Sequence, residues 1–149
     1  MFIRALLAFL ALPGVVAFAV PLIWLAVSAH TRLVSPFGLV PLSIGCFALL
    51  WCARDFYVAG KGTLAPWAPP VHLVVVGLYR YTRNPMYIAV ILILLGWALS
   101  FGLQGLFIYS IAVASAFHLR VVLGEEPWLA RTHGAQWRDY ASRVPRWFW

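Results

Sequence analysis

Charge is scarce in this chain of 149 residues: Asp, Glu, Lys and Arg together make up 10% of it, and only four residues are acidic. So few charged groups cannot cover the surface of a soluble domain, which is normally about a quarter charged residues. Cysteine is nearly absent as well. Cys46 and Cys52 lie six positions apart in one apolar run, where a helix turns them to different faces and holds them too far apart for a disulfide. No redox or metal site follows from them, and His72, His118 and His133 show no metal-ligand spacing. No serine or cysteine stands beside a credible base and acid pair, so hydrolase chemistry has no support.

What the chain has in quantity is apolar sequence: 64% hydrophobic residues and a mean hydropathy of +0.90, against about 45–50% apolar residues in soluble domains. This composition predicts a single-domain, all-α, polytopic membrane protein. Its net charge of +7 is carried by basic residues lying between apolar runs. Basicity in that arrangement reads as membrane topology and contact with anionic lipid, and nucleic acid is not expected as a partner.

A span needs about 20 apolar residues, and the segments 5–28, 36–53, 86–101 and 104–123 qualify or nearly do. About four transmembrane helices are therefore expected. The triad "AFA" at 17–19 resembles a signal-peptide cleavage site, but the apolar run continues ten residues past it, so a retained first helix is predicted. Pro13 and Pro21 predict bends in it that neighbouring helices must accommodate. Only "SFGLQG" separates the third and fourth segments, which predicts a helical hairpin over 86–123. The domain then divides into two N-terminal spans (1–53), a polar loop (54–85) with Trp67, Tyr79 and Tyr81 as interface anchors, the hairpin, and a tail (124–149). The tail reads as an amphipathic surface helix ended by Val144-Pro145.

With the N-terminus inside, ten of the eleven basic residues and all four acidic ones fall on one side, leaving Arg32 opposite. The positive-inside rule makes that side cytoplasmic. Both termini and any site are expected there, in a bacterial inner membrane.

Two clusters carry candidate chemistry. In "GLYRYTRNPMYIAV", Asn84 and Pro85 suit the N-cap and first turn of a helix. Arg83, a cation at the positive end of that helix, is either an arginine reaching lipid headgroups or half of a carboxylate or phosphate site shared with the open helix N–H groups. In "HLRVVLGEEPWL", the adjacent Glu125 and Glu126 at a membrane edge need partners. They either pair with Arg120 and start a helix, or belong to a site. A hairpin brings the two clusters to the same membrane face. A third stretch, Gly60-Lys61-Gly62, reads as a turn.

These clusters, in this order, resemble the integral membrane methyltransferases that include isoprenylcysteine carboxyl methyltransferases and phosphatidylethanolamine N-methyltransferases. The resemblance rests on an Arg-Asn-Pro-Met-Tyr box at 83–87 and a Glu-Glu box at 125–126 with a following Leu and Gly, and covers roughly the last ninety residues. It implies S-adenosylmethionine as methyl donor and a lipophilic acceptor entering from the bilayer. Glu125 or Glu126 then suits the donor's ammonium, Arg83 with Asn84, Pro85 and the adjoining helix N-terminus its carboxylate, and Tyr79, Tyr87 and Trp128 its adenine and sulfonium. Carboxyl methyltransferases usually have His where this chain has Asn84, which leans towards the phospholipid amine methyltransferases. Arg120 matches an arginine suited to a substrate carboxylate and, with Arg83, a catalytic role in orienting it. An isoprenylcysteine-like carboxylate or other small hydrophobic acceptor and a phospholipid amine both stay open. The reading from another class is a non-enzymatic scaffold or lipid-binding protein whose Arg and Glu residues are interfacial ion pairs.

Overall fold

The computed structural model describes residues 10–29, 32–60 and 72–148; side chains are described from Pro13 onward. Among these residues there are helices and no strands. The first helix, α1, has π geometry over Leu10–Ala19 and continues as α-helix through Val20–Val27. A 3-10 turn, Pro36–Gly38, leads into α2, Leu39–Val58. Another, Gly77–Arg80, precedes α3, Pro85–Phe101. The α3–α4 hairpin expected from the short connection is present: Gly102 closes α3 in the left-handed region, and α4, Gln104–Arg120, follows at once.

Span count is where the structure departs from expectation. Among the described residues, two helices are long and apolar enough to cross a membrane, 36–58 and 104–143, while Pro13–Val27 and Pro85–Phe101 are shorter apolar helices. At about 1.5 Å per residue, the 17 residues of α3 reach about 25 Å, less than a bilayer core of about 30 Å. The tail departs too. No break separates it from α4: a π-helical turn, Val121–Glu125, joins α4 to α5, Glu126–Arg143. The polar sequence that reads as a separate surface helix is the continuation of the hairpin's second arm.

Helices α2 and α3 pack most closely. A Cβ built on Gly45 would lie 2.7 Å from the Ala89 carbonyl oxygen, and one on Gly96 2.7 Å from Leu42 Cα, so the two backbones meet where side chains are missing. Leu49, Ala89, Val90, Ile93 and Leu94 fill the seam, with Ala17 of α1 against it. Apolar residues also face outward along α1, α2 and α4, among them Ile23, Val27, Phe47, Leu50, Ile108 and Ile111. That outward apolar face is a lipid-facing girdle rather than a water-facing one.

The proline in α1 is accommodated by the hairpin. Pro21 has no N–H, so the carbonyl it would otherwise reach, that of Ala17 at α spacing or of Val16 at π spacing, receives no donor from it. Trp97 Nε1 donates to the Ala17 oxygen at 3.0 Å, and the Tyr109 hydroxyl to that of Val16 at 3.3 Å. Side-chain donors thereby reach both candidate carbonyls, in a layer where water cannot.

Gly134 is the second hinge. Its φ of 52° and ψ of −114° break α5 internally, a conformation open to glycine and costly for any residue with a Cβ. The break turns the second half of α5 so that Trp137 and Tyr140 cluster with Leu73, Leu129 and Val144.

Gly134→Ala is expected to destabilise the protein by about 1–3 kcal/mol through φ alone, since nothing lies within 4 Å of a Cβ there. Gly124→Ala, with equally open space and no positive φ, is expected to leave thermal unfolding in detergent unchanged or slightly raised. Equal loss in both would contradict the hinge.

Candidate functional site

The polar ends of α3 and α5 meet at one end of the bundle. Pro85 occupies the first turn of α3 as the sequence predicts, but Asn84 makes no side-chain cap bond. The expected cap is replaced by a longer-range contact: Asn84 Nδ2 donates to the Arg146 carbonyl at 2.9 Å. Thr82 Oγ1 donates to the same oxygen at 3.1 Å, and the Arg83 N–H to the Pro145 carbonyl at 2.9 Å. Residues 145–146 are thus bound across the start of α3. The Tyr140 hydroxyl adds a bond of 2.7 Å to the Tyr79 carbonyl.

Consecutive residues on a helix point about 100° apart, so Glu125 and Glu126 find different partners. Glu125 Oε1 accepts from the Tyr87 hydroxyl at 2.5 Å and from Arg120 Nε at 2.7 Å; Arg120 Nε also lies 3.2 Å from that hydroxyl. Phe117 stacks on Tyr87 with ring centroids 4.3 Å apart. Glu126 sits between two arginines. Arg83 Nη1 reaches Oε1 at 2.9 Å, and Arg146 donates through Nε at 2.9 Å and Nη2 at 2.7 Å, a bidentate grip. These bonds push the Arg146 guanidinium above its ordinary value.

Arg83 lies against the Trp137 ring, its Cζ 5.5 Å from the centroid. Its Nε is buried and has no hydrogen-bond partner. Two guanidinium groups around one carboxylate leave this half of the site with one surplus positive charge and an unused donor, an arrangement suited to an anion.

Of the residues singled out from sequence, Tyr79, Arg83, Asn84, Tyr87, Glu125 and Glu126 line one cavity of about 100 Å³. Pro85 is buried behind it. Arg120, half exposed, joins through Glu125 and Tyr87 and is not in its wall. Trp128 also lies outside the wall and packs edge-on to His133. Trp137 and Tyr140 take the aromatic place instead. Tyr79 is buried beside Cys52, and burial raises its phenol well above the usual range, so it is not an interface anchor; Tyr81 is 76% exposed. Trp67, Lys61 and Gly62 lie outside the described residues. Arg146 and Trp137 were missed because nothing local marks them: one follows the last helix and the other sits among surface-type residues. The signal available was their place in the quoted tail, "GAQWRDYASRVPR".

A helical bundle with an apolar girdle and a paired Arg–Glu site at one end fits the class of protein that the family comparison identifies. The phospholipid methyltransferase family profile matches residues 37–136, two thirds of the chain, and the protein belongs to that family. No curated protein and no solved structure matches it. The match begins earlier than the last ninety residues, taking in α2, and ends before Trp137, Tyr140 and Arg146.

Glu126→Gln is expected to lower the thermal unfolding midpoint in detergent by an amount equivalent to about 1.5–3 kcal/mol, because two partly buried arginines lose their counter-charge. Asp139→Asn, which breaks an exposed pair with Arg143, is expected to change the midpoint little. A Glu126→Gln midpoint equal to wild type would overturn the central place given to this carboxylate.

Proposed function

We propose that the protein transfers a methyl group from S-adenosylmethionine to the amine headgroup of a phospholipid, at a site opening to the cytoplasmic face of a bacterial inner membrane. The observation that carries this reading is the buried Arg83 Nε with no acceptor, set beside a carboxylate that carries two guanidinium groups. A zwitterionic amino-acid group fits such a donor set: its carboxylate suits Arg83 and the N-terminus of α3, and its ammonium suits Glu126. Tyr79, Tyr87 and Trp137 offer aromatic surface for the rest of the donor. When bound, that cofactor supplies an activated methyl group for in-line displacement.

The chain's own task is positioning. The cavity of about 100 Å³ is small beside the about 300–1,000 Å³ of ordinary ligand sites. An amine acceptor must be held and must lose a proton; Glu125, tied to Tyr87 and Arg120 and one third exposed, is the carboxylate placed to take it. The family match over 37–136 favours the phospholipid amine over an isoprenylcysteine-like carboxylate, while the half-exposed Arg120 is the feature that favours a carboxylate or other small acidic acceptor. In the scaffold reading the same Arg–Glu pairs only tie helices together, and S-adenosylhomocysteine does not bind.

Saturable heat of binding is therefore expected when detergent-purified protein is titrated with S-adenosylhomocysteine. Arg83→Lys is expected to lower the transfer rate to lipid-extract acceptors at least tenfold, about 1.4 kcal/mol, because an ammonium lacks the planar paired donors of a guanidinium. Asn84→Ser is expected to cost less in rate, although it removes the bond to the Arg146 carbonyl. Normal turnover in Arg83→Lys would return that residue to a headgroup contact.

A further inference from the structure

The segment after α5 does something the family match does not reach, since the match stops at residue 136. It presents two kinds of group to the site at once. Its carbonyl oxygens, from Pro145 and Arg146, accept from the Arg83 N–H, Asn84 Nδ2 and Thr82 Oγ1 at the start of α3. Its cation, the Arg146 guanidinium, occupies both oxygens of Glu126. Acceptor oxygens at a helix N-terminus and a cation on a carboxylate are the two ends of an α-amino acid as that site would receive it.

We propose that Pro145-Arg146 is an internal stand-in for the amino-acid end of the methyl donor, and that binding requires this segment to be displaced from Glu126 and from the start of α3. The inference rests on the donor-site reading above. It accounts for why Asn84 and Glu126, in the wall of the cavity of about 100 Å³, already carry a tail carbonyl and a tail cation. It also accounts for how the exposed polar groups of an empty site are satisfied at a membrane edge. Left bare, Glu126 would keep Arg83 alone, and the Arg83 N–H and Asn84 amide before α3 would lose their acceptors in surroundings that penalise this heavily.

The segment is built to let go. It lies beyond the last helical residue, Arg143, and Val144 is extended. Beyond Arg146, Trp147 adds a contact of its Nε1 to His118 Nδ1 at 3.3 Å. Arg146 is about one third exposed, whereas Arg83, on the other side of Glu126, is 14% exposed and backed by Trp137. Of the two arginines on Glu126, the one on the tail is the one free to leave.

Calorimetric titration with S-adenosylhomocysteine tests this in wild type, Arg146→Gln and Glu126→Gln. Removing an internal competitor is expected to raise affinity about tenfold in Arg146→Gln, whereas Glu126→Gln is expected to lower it, so the two halves of one ion pair move binding in opposite directions. Loss of packing would lower both. Trypsin gives a second readout on the wild-type chain, because its specificity pocket takes the same guanidinium that Glu126 holds. Cleavage of the Arg146–Trp147 bond, followed by intact mass, is expected to become severalfold faster when S-adenosylhomocysteine is saturating. Wild-type binding with equal or weaker affinity in Arg146→Gln, or cleavage that the ligand slows or leaves unchanged, overturns the displacement and leaves the donor site standing. Absence of binding in all three proteins sinks the donor site and the displacement together.

Discussion

Glu126 shared between Arg83 and Arg146 is the interaction on which the polar end of the molecule depends. It ties the start of α3 to α5 and to the segment beyond α5 through one carboxylate. In a chain with four acidic residues, each carboxylate has a large share of the arrangement. Those of Asp139 and Asp55 pair with arginines one turn away or next in sequence, and that of Glu125 with Arg120, five residues before it. Glu126 alone joins arginines from distant parts of the described chain. Its bonds lie where low dielectric strengthens attraction and makes an unpaired charge expensive. It leaves one guanidinium in surplus around this carboxylate.

The apolar part of the fold obeys a related rule, that backbone polar groups in a lipid layer must find partners within the protein. Pro21 withholds one backbone donor, and Trp97 and Tyr109 donate to the two carbonyls within its reach. Gly45 and Gly96 let α2 and α3 approach until backbone meets backbone. These contacts hold the hairpin against the first two helices, so the start of α3 is presented at a fixed height at the end of the bundle. Site geometry follows from apolar packing some distance away.

Much of the site was legible in sequence because its chemistry is carried by rare residue types in short boxes. Arg83, Tyr87, Glu125 and Glu126 stand out against apolar surroundings, and the short link at 102–103 requires their two boxes to lie side by side. Asn84 was legible by type and misread by role. A cap residue before Pro85 is the ordinary local inference, and a tail carbonyl 62 positions away claimed the amide instead. Trp128, close to the Glu pair in sequence, lies outside the cavity wall, and Trp137 lies in it. A break at Gly134, which turns the chain between them, decides which ring faces Arg83.

By itself, the sequence determined that the chain is helical and apolar, that its charges gather at the ends of its apolar runs, and that it belongs among the membrane methyltransferases. Composition, run length and close motif spacing are local quantities, and helices in an apolar medium form from local hydrogen bonds. Only the tertiary structure decided which arginine each glutamate takes, that the tail continues α4 as far as the break at Gly134, and that Arg146 pairs with Glu126. Those outcomes depend on two torsion angles at Gly134 and on contacts between residues more than sixty positions apart, and no pattern along the chain records the distance between two such residues in space.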